Sequence, residues 1–131
     1  MDMQGALRAR LLATGPLATL VARRIEWLSR PQAGALPAVT LTVISDERPD
    51  TFGGFAALRA TRVQVDCWAA DYAKAKAVAD AVVDAVATPA VHEGIKFSRP
   101  TIEGPRDGID QTEPAPIVRA TLDLIVWHQT A

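Results

Sequence analysis

Between Leu58 and Val86 the hydrophobic pattern changes from an alternating to a helical period with almost no connector, so a strand must run straight into a helix. Val63, Val65 and Cys67 alternate with Arg62, Gln64 and Asp66, the pattern of a strand with one buried face and one left to water or to a partner. From Asp71, a natural N-cap, apolar residues recur at Tyr72, Ala75, Val78, Ala79, Val82 and Val86, one stripe of a helix that stops near Thr88-Pro89. A strand and a helix joined in this way need a sheet to lie on. Val39, Leu41 and Val43, set against Thr40 and Thr42, mark a strand from Val39 to Ser45 that suits a hairpin with the one near Val63. In the closing strand Val118, Ala120, Leu122, Leu124 and Val126 alternate with Arg119, Thr121 and Asp123, a polar row like that of Arg62, Gln64 and Asp66, so these two strands can pair antiparallel.

The remaining elements are shorter. A first helix is expected over Met3 to Leu12, with Met3, Leu7 and Leu11 on one side and Arg8 and Arg10 off it. Gly15-Pro16 ends it, and Pro16 suits the first position of a second helical turn through Leu17, Leu20 and Val21, where a missing N–H costs nothing. A short strand around Ile25 to Leu28 and a Pro-Gly loop from Pro31 to Pro37 follow. A strand over Ile95 to Ile102 is interrupted by Pro100, which an edge or a bulge would accommodate. The sum is an α+β domain over residues 1–131, with a mostly antiparallel sheet of about four strands, a main helix on one face and a helical N-terminus.

Two connections are too long for tight turns. Glu47 to Phe55 carries Phe52 and Phe55, two of the three phenylalanines, beside Gly53-Gly54, where little local structure could bury them. They either fold back on the sheet or sit on a protruding hairpin that inserts aromatic anchors into a neighbouring subunit. Glu103 to Pro114 is polar and proline-flanked, and reads as a loop that is mobile or ordered by a partner.

Composition narrows the function classes. With 49% hydrophobic and 22% charged residues in 131, the chain can build one core and is not disordered. Arg, Asp or Thr breaks every long apolar run, so no membrane contact is expected, and the N-terminus lacks a signal-peptide pattern. The single cysteine, Cys67, lies on the apolar face of a strand and reads as a small core residue suited to a reducing compartment. Residues 1–30 carry five arginines against Asp2 and Glu26, a balance of +3, and the remainder balances at −4. Such polarity suits head-to-tail stacking or docking on an oppositely charged ring, and equally a solvated surface.

No catalytic set assembles, and no cofactor or metal is expected. His92 and His128 lack the spacing of a metal pair, and Ser29, Ser45 and Ser98 stand in no nucleophile-elbow context. Gly53-Gly54 opens neither a helix nor a Lys-Ser pair, so no phosphate loop is present. Arg8, Arg10, Arg23 and Arg24 form no continuous basic stripe with interleaved aromatics, leaving only sequence-blind contact with DNA.

The segment QVDCWAADYAKAKAVADAV, beginning at Gln64, resembles the central motif of the tail-completion, or tail-terminator, proteins of long-tailed bacteriophages and gene transfer agents. Arg30-Pro31-Gln32-Ala33-Gly34-Ala35-Leu36-Pro37 leading into Val39 to Ile44, the closing strand Leu122 to His128, and the leucine-rich N-terminal helix extend the resemblance over nearly the whole chain. Glu26-Trp27 departs from it, since an aromatic residue and a turn are expected after Ile25, and the pairing of the first strand stays open. The resemblance implies a non-enzymatic virion protein: a sixfold homo-oligomeric ring at the head-proximal end of a tail tube, ending its polymerisation and docking a head-tail connector or stopper protein, with DNA passing through the lumen. It places the chain in the tail of a virion or phage-like particle assembled in the bacterial cytoplasm. A neighbouring neck protein or a small non-catalytic binding domain is the alternative. The long connections direct attention to Arg48, Asp50, Phe52, Phe55, Arg106, Asp107, Asp110 and Glu113 as subunit or partner contacts.

Overall fold

In the computed structural model, which describes residues 2–31, 34–55, 57–111 and 115–131, the strand β5 (Arg59–Ala69) and the helix α3 (Tyr72–Val86) meet across a two-residue joint. The Asp71 carboxylate accepts the Lys74 N–H at 2.9 Å and so caps the first turn of α3. Val63, Val65 and Cys67 on β5, and Val78, Ala79, Val82 and Val86 on α3, are buried in one apolar cluster, as their periods require. Tyr72 departs from the expected stripe: it is 58% exposed, and the Lys76 ammonium lies 5.2 Å from its ring. At the first helical position a side chain leans out beyond the sheet.

Before β5 the chain forms α1 (Met3–Leu12), α2 (Gly15–Val21), β1 (Ile25–Trp27) and β2 (Ala38–Glu47), then the small pair β3 (Asp50–Thr51) and β4 (Gly54–Phe55). After α3 come β6 (Ala90–His92), β7 (Ile95–Phe97), β8 (Thr101–Asp110) and β9 (Ile117–Thr130). The main sheet runs β1-β2-β5-β9-β7-β6, and β8 lies on the same edge of β9 as β7. It therefore has seven strands rather than about four, and β1 pairs with β2 in parallel while the other pairs are antiparallel. The expected β2–β5 hairpin and β5–β9 pair are both present, with Leu41 and Leu122 flanking Val65.

Two further expectations are corrected. Arg10 is not off the buried side of α1: it is 4% exposed, stacks 5.6 Å from the Phe97 ring, and its guanidinium donates to the Thr88 carbonyl. That bond ties α1 to the end of α3. The stretch from Glu103 through Asp110 is not a loop but most of β8, paired with β9 from Thr101↔Ile125 to Asp110↔Ile117. Pro100 falls between β7 and β8, where pairing with β9 lapses, so the proline displaces no ladder hydrogen bond.

Cys67 is fully buried, and burial, reinforced by neighbouring Asp66, drives its thiol well above the usual range. Among the described residues no helix is long and apolar enough to cross a membrane.

Candidate assembly surfaces

The connection after β2 is built as a projecting hairpin. Thr51 pairs with Gly54, leaving Phe52-Gly53 as a two-residue turn, and Gly54 takes φ +123°, which a side chain would resist. The Thr51 hydroxyl donates to the Gly54 carbonyl at 2.9 Å and closes the turn. Phe52 at the tip is 115% exposed, so its ring is buried by none of the described residues. Arg48 and Asp50 are exposed at the hairpin's base. Phe55 ends β4, and its side chain lies outside the described residues.

Arg48 lines a cleft with Asp46, Arg59 and His128. There Arg59 pairs with Asp46 at 2.6 Å, and the Thr61 hydroxyl donates to Asp46 at 2.8 Å. Thr61 must then accept from His128 Nε2, 2.8 Å away, which sets the tautomer of a neutral ring. Burial, helped by the Arg59 charge and opposed by Asp46, lowers the His128 pKa. The unfolded chain thus takes up this proton at a higher pH than the folded one, so stability present above the ordinary histidine pKa of about 6.5 falls as pH drops below it. Thermal melts from pH 7.5 to 5 are expected to show that decline, flattened in His128→Gln; an unchanged slope in the variant would refute the assignment.

Along the side of β9 away from β5 lies β8. Its inner side pairs with β9, and among the described residues no strand covers its outer side, leaving a row of backbone N–H and C=O groups open. Arg106 pairs with Asp123, Lys76 with Asp107 at 2.8 Å, and Arg62 with Glu103 at 3.8 Å. Arg106 and Asp107 are thus engaged within the subunit, and Asp110 is held at the strand end in register with Ile117. Glu113 lies outside the described residues.

The structure therefore divides the candidate residues between two ends. Arg48, Asp50 and Phe52 lie beyond the Glu47 end of β2, whereas Arg106, Asp107 and Asp110 pair along the β9 residues near the Ala38 end. About ten residues of strand separate the two levels, roughly 30 Å.

Sequence reasoning saw the polar row of the central strands but not how far it is built into a network. On the face away from the helices Thr121 donates to Asp66 at 2.7 Å, Gln64 to Asp66 at 3.0 Å, and the Trp68 indole to Thr40 at 2.9 Å. The Arg30 and Arg119 guanidiniums stack over Trp68 at 5.2 and 5.5 Å. Asp66, Thr121 and Asp123 are each less than 9% exposed. The available signal was the matched polar spacing on two paired strands.

Among the described residues no group of three or more histidine, cysteine, aspartate or glutamate side chains could hold a metal.

Over residues 5–129 the chain matches the family described as Tail completion protein gp17. No curated protein matches it. Among solved structures it is similar to a chain from the virion of a native gene transfer agent particle, at 26% identity and a TM-score of 0.59 over 98% of this chain and 93% of that one.

Proposed function

The chain belongs to the tail completion family and is a structural protein of phage-like tails; from that premise we propose that its copies close into a sixfold ring at the head-proximal end of the tail tube. The ring stops tube polymerisation and presents a docking face to the head connector or stopper protein, with DNA passing through the lumen by sequence-blind contact. The observation that carries this reading is the pair of unlike surfaces, the exposed hairpin beyond the Glu47 end of β2 and the open β8 strand along the β9 side of the sheet. Unlike surfaces on different sides of one subunit favour heterologous contacts, which close into a ring when the rotation allows. Two unlike faces also suit two different partners.

Light scattering on the purified chain, alone and mixed with tail-tube protein, tests the reading. A ring-sized oligomer in either sample is expected, and a strict monomer in both would overturn it. Replacing Phe52 and Phe55 together by serine is expected to leave the circular-dichroism spectrum of the subunit intact while abolishing that oligomer. Loss of the far-UV signal would instead place the Phe55 side chain in the core.

A further inference from the structure

A pocket of about 240 Å³ opens between β1, the following loop and the start of β2. Pro31, Ala35, Ala38 and Val39 form its apolar surface, and Arg23, Arg24 and Arg30 stand at its rim. The rim is partly fixed: Arg24 Nε donates to the Pro37 carbonyl at 2.8 Å, and Arg30 stacks on Trp68 at 5.2 Å. Glu26 also borders the pocket, but Arg8 pairs with it at 3.3 Å, so the side of the rim formed by Arg23 and Arg24 remains positive. Within the same stretch of chain Leu28 is held at φ +75° with 76% of its surface exposed. A leucine kept in the left-handed region with its side chain in water is a strained arrangement of the sort found at contact sites.

The occupant this pocket fits is Phe52, the most exposed large apolar side chain among the described residues. Apolar cavities of roughly 150 Å³ already accept a benzene ring, so the volume suffices for phenylalanine. Arginines around an aromatic ring add cation–π attraction, and Asp50, the charged residue nearest the hairpin tip, offers the opposite sign to the rim. Pocket and hairpin lie at the two ends of β2, a strand of ten residues or roughly 30 Å. A subunit cannot fill its own pocket across that distance, and a contact between opposite ends is head-to-tail.

We infer that Phe52 of one copy seats in the Arg23/Arg24/Arg30-rimmed pocket of the next, and that this is the repeating contact of the ring. The inference rests on the ring reading above and names the residues that close it.

Cysteine cross-linking tests it without removing the anchor. Gly53, beside Phe52, has open space around it, and Ala35 is exposed in the pocket, whereas native Cys67 is fully buried. With a mild oxidant, a mixture of Gly53→Cys and Ala35→Cys subunits should give disulfide dimers, and the double variant a ladder. Phe52→Ala and Arg23→Glu should each weaken association, Phe52→Ala by roughly 30-fold as for an aromatic anchor, and combining them should add little beyond Phe52→Ala alone. If rings form yet Gly53→Cys cross-links no better to Ala35→Cys than to Val91→Cys on exposed β6, the inference falls and the ring stands. If the unmodified chain never associates, alone or with tail-tube protein, the ring falls and takes this contact with it.

Discussion

Replacing Val65 by aspartate is expected to abolish soluble folding. Val65 is fully buried on the middle strand of three, between Leu41 of β2 and Leu122 of β9, with α3 lying over that face. A carboxylate there would face only apolar side chains, and burying an unpaired charge costs several kcal/mol even after relaxation. Domains of this size are stable by about 5–15 kcal/mol in total, so one such substitution removes most or all of the margin. Ile44→Asp is the matched control: Ile44 is 51% exposed, at the register shift in β2, and its aspartate should leave the protein soluble with a cooperative melt. A soluble, cooperatively melting Val65→Asp protein would mean that β5 does not turn this face to the core.

That face was readable because two periods agreed. Alternation at Val63, Val65 and Cys67 and the helical spacing of Val78, Val82 and Val86 each demand burial, and only a helix lying on the strand satisfies both. The same reasoning failed where local composition and tertiary pairing disagree. Gly104, Pro105, Asp107 and Gly108 carry loop chemistry, yet the long, strongly patterned β9 offers a template and draws them into β8. Three-residue β6 and β7 are too short to show a period, which is why the sheet reads as about four strands in sequence and has seven in the structure. Arg10 was misplaced for a different reason: its charge pointed to solvent, but a stacked ring and a backbone carbonyl meet it inside. Of the candidate contacts, Phe52 was identifiable because no nearby sequence could bury it. The Arg23/Arg24/Arg30 pocket was not, since its members become neighbours only when β1 pairs in parallel with the start of β2.

The conversion of a loop-like sequence into a strand makes β8 depend on one residue, and Gly104→Val should expose that dependence. Gly104 has φ +105°, a conformation that a β-branched side chain strongly disfavours. A Cβ at this position would also lie 2.8 Å from the Thr121 carbonyl oxygen and 3.3 Å from the Arg106 nitrogen, both backbone atoms that cannot swing aside. Strain and clash together should cost about 3 kcal/mol or more, lowering the melting temperature by roughly 10 °C in a domain of this size. The damage should be local in origin. The register between β8 and β9 shifts between Glu103 and Arg106, so prying the chain apart at Gly104 frees the Arg106–Asp110 half of the strand and breaks the Arg106–Asp123 and Lys76–Asp107 pairs. Amide hydrogen exchange is therefore expected to quicken from Arg106 to Asp110 while β5 stays protected by β2 and β9 on either side. A Gly104→Val protein that melts within about 2 °C of the original, with β8 exchange unchanged, would show that β8 does not approach β9 as described. Loss of protection spread evenly over β5 would show that β8 is part of the core that β5 folds with rather than an edge strand added to it.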